Sequence, residues 1–142
     1  MLYYDNGGGI RDSLRVIART QDTLAAYWRR ATSTQASPPP MPSVDFNREM
    51  VIVVATGRRT PEEQIHVDSL LVRPELMPTG RREEQLTIVV RLVVGCGRIR
   101  TPAYPVEIVR ARRFDGHVAW RHNTERLNCD GAGAGGAGSA AR

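Results

Sequence analysis

Four side chains in the last third of the chain have the chemistry to hold a transition metal: Cys96, His117, His122 and Cys129. Two thiolates and two imidazoles make a permissible zinc set. Structural zinc sites normally begin with two ligands on one tight turn, and no two of these four are so placed. His117 and His122 also differ by an odd number of positions, so a regular strand points them to opposite faces. His66 and Asp68 share a strand face by the same rule, yet two ligands make no site. The histidines therefore read as surface residues, and neither a metal nor any other cofactor is expected. The cysteines have a simpler use. They lie 33 positions apart, Cys96 within Gly95-Cys96-Gly97, and neither belongs to a CxxC pair. A disulfide would tie the end of the chain back to the sheet and stabilise it by roughly 3–4 kcal/mol. Two free thiols are the alternative.

Other chemistry-bearing patterns are weaker. No GxSxG nucleophile elbow and no HExxH motif occurs in the sequence. Glu62-Glu63 and Glu83-Glu84 are neighbours, so in extended chain each pair splits between faces and cannot act as a carboxylate dyad. Gly133, Gly135 and Gly138 spell GxGxxG, but a dinucleotide site needs a strand before it and a helix after it. The surrounding GAGAGGAGSAAR offers neither and reads as low complexity. Arg58-Arg59, Arg81-Arg82 and Arg112-Arg113 fall at strand ends or turns, where they could gather at one rim and attract an anion. Aromatic residues are only 6% of the chain, too few to interleave with the arginines as single-strand nucleic-acid binders require. Pro39–Pro42 matches PxxP, although a proline loop within a domain explains it equally well.

These residues must be carried by a mainly β scaffold. Leu14, Val16 and Ala18 alternate with Ser13, Arg15, Ile17 and Arg19 after the flexible Gly7–Gly9, predicting a half-exposed strand. Thr20 can cap a short helix, QDTLAAYWRRAT, with Asp22 near its positive end. Leu24, Trp28 and Ala31 share one face of that helix and should pack on a sheet. Ser33–Ser43 is a loop with polyproline character. Met50–Ala55 is an uninterrupted apolar run of the kind a central strand shows. Further strands are predicted from Ile65 through Val72 and from Leu86 to Val94, with turns over Gly57–Pro61 and Pro74–Gly80. Tyr104–Arg112 and His117–Asn123 suggest a hairpin across Asp115-Gly116. Six strands and one helix imply a mainly antiparallel sheet folded as a sandwich or open barrel.

The chain of 142 residues suits a single domain. It divides into a flexible N-terminus over 1–9, a β domain over 10–129 and a disordered Gly/Ala tail over 130–142. The formal net charge is +5, and all 20 basic residues are arginine. A nucleic-acid binder usually mixes in lysine, so this reads as compositional bias; it favours an acidic partner through steering alone. MLYYDNGGGI shows no cationic start followed by an apolar run, so no signal peptide is read there. No segment approaches the roughly 20 apolar residues of a membrane helix.

Val44-Asp45-Phe46 leading into Asn47–Ala55 and then Gly57 resembles the signature of the C-terminal domain of the PrcB family of protease-complex subunits. The strand over Arg15–Ala18, the helix bearing Trp28 and the late stretch Tyr104–Arg110 are similar to that family's pattern as well. The resemblance covers roughly 10–129, and cysteines in similar places in relatives add weight to a Cys96–Cys129 bridge. One departure is plain: where the family has a Gly-Gly-Tyr element after the central strand, this chain has Arg58–Ile65. The resemblance implies a non-enzymatic, exported or envelope module that binds or stabilises a protein partner, such as a protease. Loops carry binding on rigid scaffolds, so Pro39, Pro42, Arg58 and Arg59 are the expected contacts. The residues themselves also allow a structural account. Asp45 can bond its neighbouring backbone in a turn while Phe46 anchors the loop. The other functions open to the sequence are an arginine-driven nucleic-acid or polyanion binder and a hydrolase with a dispersed site.

Overall fold

A computed structural model describes residues 1–129, and the tail over 130–142 lies outside the described residues, with its glycine pattern. The elements run in the order β1 (Tyr3–Asp5), β2 (Ser13–Ala18), α1 (Gln21–Ala31), β3 (Glu49–Thr56), β4 (Gln64–Leu76), β5 (Arg82–Val94), β6 (Val106–Arg112) and β7 (His117–Arg126). They build two sheets, one ordered β1-β6-β3-β2 and the other β4-β5-β7. The result is a sandwich with α1 on its outer side, not closed into a barrel.

The apolar run of β3 explains the layering. Val51, Val53 and Ala55 face one way and meet Leu24, Trp28 and Ala31 of α1 together with Val106 and Ile108. Met50, Ile52 and Val54 face the other way and meet Ile65, Leu86, Ile88 and Val90 of the second sheet. A strand buried on both faces has no polar side to offer, which is why β3 is central. Each large side chain removed from water there contributes about 1.5–3 kcal/mol. Helix α1 begins at Thr20, whose hydroxyl accepts from the Thr23 N–H at 3.2 Å, with Asp22 in its first turn. It buries Leu24, Trp28 and Ala31, the face its spacing predicts.

Three expectations need correcting. Residues 1–9 contain a strand: β1 pairs antiparallel with β6, placing Tyr3 opposite Ile108. Gly9 then packs so tightly on the end of α1 that a Cβ would sit 2.1 Å from the Arg30 carbonyl oxygen. The second correction concerns β6 and β7, which form no hairpin. β6, with Val106 and Ile108 buried on one face and Ala111 on the other, inserts between β1 and β3. β7 carries far more polar residues and joins the edge of the other sheet, parallel to β5. Asp115-Gly116 is thus a corner between sheets, and Asp115 is held there by Arg19 and Arg113. Third, β4 does not stop at Pro74 but continues to Leu76, with Pro74 opposite Glu84. An edge strand tolerates the missing N–H. The turn shrinks to Met77–Arg81, closed by the Gly80 N–H on the Met77 carbonyl at 2.9 Å.

Candidate functional site

Polar side chains lock the sandwich along both of its long sides. On one side the buried Glu107 of β6 reaches the edge strand β4: one carboxylate oxygen accepts the Val67 N–H at 2.7 Å and the other meets His66 Nδ1 at 2.8 Å. The Val67 N–H needs such a partner because pairing with β5 slips between Val67 and Ser69. His66 Nε2 is taken by the Gln64 amide at 2.9 Å, and the Tyr4 ring stacks on the imidazole with centroids 5.0 Å apart. Burial, with the charges of Glu107 and Asp5, pushes the Tyr4 hydroxyl up to about 12. His66 is therefore a tethered, half-buried residue rather than the surface histidine the sequence suggests. The bulge sends Asp68 to Arg91 instead.

The opposite side is locked by Arg15 of β2, which hydrogen-bonds His122 of β7 and lies over the Trp120 ring, 5.7 Å from its centroid. Burial and then the Arg15 charge hold His122 below its ordinary value. Nearby, Arg19 donates to the Phe114 carbonyl at 2.7 Å.

The end of the sandwich beyond Thr56 is closed as well. Glu63 is buried, and burial alone would raise its carboxyl. The Thr60 and Gly95 N–H groups, the Thr60 hydroxyl and the Arg59 charge outweigh that and hold it low. Arg59 exchanges two backbone hydrogen bonds with Ala103. Cys96 and Cys129 sit at this end with Cα atoms 5.6 Å apart, within the roughly 4.4–6.8 Å that disulfides span. The bridge fastens the chain just after β7 to the chain just after β5.

The other end is open. β4 and β5 are each 13 residues long against eight in β3 and seven in β6, so their hairpin projects past the facing sheet. Alternation puts Leu70, Val72 and Leu76 on the side facing that sheet, where nothing covers them fully: they are 39%, 48% and 65% exposed. At the base of the overhang, Met50, Leu70, Val72, Leu86 and Phe114 line a cleft of about 140 Å³, with Arg112 and Arg113 at its rim. A broader hollow beside the end of α1, about 440 Å³, is shallow and lined by Gly9, Ala26, Arg29, Arg30 and Ser33. It lacks any large apolar side chain, so the smaller cleft is the better candidate for recognition.

The residues singled out in the sequence are spread over the molecule. Asp45 accepts the Asn47 N–H on its side chain at 3.1 Å and the Glu49 N–H on its carbonyl at 2.8 Å, a turn that launches β3. Val44 is buried, Phe46 packs on the helix-side core, and the Phe46 carbonyl accepts from Arg113 at 2.7 Å. Gly57, at φ 73°, turns the chain at the far end of the same strand. Pro39 is exposed, but its carbonyl accepts the Trp28 indole N–H at 3.0 Å; Pro42 is half-buried. Arg58 is exposed beyond β3, whereas Arg112 lies opposite Glu49 at its start, about 25 Å away for a strand of this length. The three arginine pairs therefore share no common rim. Leu70, Val72, Leu76 and Phe114 were not singled out as a site, because their exposure follows from unequal strand lengths across two sheets.

Among the described residues, no group of three or more His, Cys, Asp or Glu side chains is placed to hold a metal ion. His117 reaches Glu83 at 3.3 Å and His122 reaches Arg15, so the two histidines serve different neighbours. No described helix is long and apolar enough to cross a membrane. No protein-family model, no curated protein and no solved structure matches the chain.

Proposed function

We propose that this protein is a non-enzymatic protein-binding or assembly module, related to the stabilising subunits of envelope protease complexes. The observation that carries the reading is the open end of the sandwich. The overhanging hairpin presents Leu70, Val72 and Leu76 beside an apolar cleft, on a scaffold locked along both sides and at its other end. Exposed apolar surface next to a rigid frame is what a docking face offers. The fate of Glu107 and His66 supports binding over catalysis. Their polar atoms are engaged with one another, with the Val67 N–H and with the Gln64 amide. A cysteine pair at disulfide distance supports an oxidising compartment, outside the cytosol.

The test is a photo-crosslinking amino acid placed at Val72 or, as a control, at Arg121 on the outer face of the β4–β5–β7 sheet, in cells that make the protein. The Val72 position is expected to give an adduct of defined mass in the envelope fraction, lost when Leu70→Ser and Leu76→Ser are added. No adduct, or the same adduct from both positions, would reject the reading.

A further inference from the structure

Building on that binding role, we infer that the open end takes an extended segment of another protein in which apolar residues alternate with carboxylates. Three features of the surface specify this occupant. The cleft, at about 140 Å³, is far smaller than the roughly 300–1,000 Å³ of small-molecule sites, so it fits one anchoring side chain rather than a cofactor. From that anchor the apolar strip runs along β4 through Leu70, Val72 and Leu76, about 20 Å at strand rise. Same-face side chains of an extended peptide recur about every 7 Å, a spacing that matches such a strip.

The third feature is charge. Arg82 and Arg112 are exposed, and their side chains make no ion pair or hydrogen bond among the described residues. Arg82 stands opposite Leu76 on the hairpin, and Arg112 lines the cleft. Arg113 also lines it but is committed to the Phe46 carbonyl and Asp115. Glu84, exposed and likewise without a side-chain ion pair or hydrogen bond among the described residues, shares the strand face of Arg82 and Leu86, and the two arginines outnumber it. Basic residues beside an apolar strip select acidic flanks through complementarity. A second copy of this chain is the competing occupant, and concentration-dependent dimerisation is its signature. Pairing along the β4 edge is disfavoured, because the bulge at Asp68 and the missing N–H of Pro74 interrupt it. The face of the hairpin is the usable surface.

The experiment uses fluorescence anisotropy with a labelled peptide, Glu-Leu-Glu-Phe-Glu-Leu-Glu. Two controls replace every Glu by Lys or every apolar residue by Ser. The acidic apolar peptide should bind, with each control at least about tenfold weaker. Arg82→Glu/Arg112→Glu should weaken it by about tenfold and improve the lysine peptide. Leu70→Ser/Val72→Ser should weaken it comparably, with far-UV circular dichroism checking the fold of each variant. If the serine variant fails to fold, the arginine variant alone decides. Equal binding of the lysine peptide, tight binding of the serine peptide, or indifference to the arginine variant would overturn the inference. So would concentration-dependent dimerisation, in sedimentation, that Leu76→Ser abolishes. Absence of peptide binding with the Val72 adduct intact would reject the partner chemistry alone; loss of both would reject the binding role itself.

Discussion

Individual residues in this protein matter mainly through what they do to the backbone. Gly57 adopts φ 73°, and a Cβ there would stand 3.2 Å from the Ser13 nitrogen. A left-handed conformation disfavours any L side chain, and the neighbour is main chain that cannot swing aside. Gly57→Ala is expected to cost about 1–2 kcal/mol, read as a lower urea midpoint with an unchanged slope. Much of this was legible from composition: Gly57 ends an apolar run, and Asp45 precedes one. Glu107 was not legible. A glutamate inside VEIVRAR looks like the polar face of an ordinary strand, and only the slip in β4 pairing explains why its carboxylate belongs between the sheets.

At the scale of elements, β7 is the informative strand. It is an edge strand attached to β5 in parallel, and its other flank is held through His122 to Arg15 of β2. The bond requires a neutral imidazole that accepts from the guanidinium. The folded-state value of His122 lies below that of the unfolded chain, so the unfolded state takes up the proton first. The stability from this contact is complete above about pH 6.5 and is lost as pH falls through the folded-state value. Hydrogen exchange over β7 should accelerate across that window, and His122→Gln should remove the pH dependence. If the acceleration persists in that variant, another group is responsible. The periodicity of β7 was legible, but its partner was not. The dipeptide Asp115-Gly116 favours a tight turn locally, whereas the apolar faces of β6 draw that strand into the helix-backed sheet.

For the molecule as a whole, the disulfide and the hairpin overhang sit at opposite ends of the sandwich. The bridge closes a loop that contains all of β6 and β7, so breaking it loosens both sheets' last-arriving strands. Cys96→Ser/Cys129→Ser is expected to lower stability by about 3–4 kcal/mol, read by denaturant unfolding, without altering peptide affinity at the distant cleft. A variant that loses binding while still folded would instead link the two ends. The fold class followed from strand count and the capped helix. The open end did not, since it arises from thirteen-residue strands laid against strands of seven and eight.

The order of strands has a consequence for how the chain reaches this state. β1 has no sheet partner until β6 exists, which places Tyr3 opposite Ile108, and β6 is also the second neighbour of β3. On the other sheet, the β4–β5 hairpin can form locally and meet the earlier β3, but its inner face stays only partly covered until β6 and β7 have joined. Loop closure over such separations is slow relative to local pairing. A nascent chain would therefore hold its long apolar hairpin only partly covered until the last third, which carries β6 and β7, has been synthesised. That hairpin is then the surface that a chaperone would meet first.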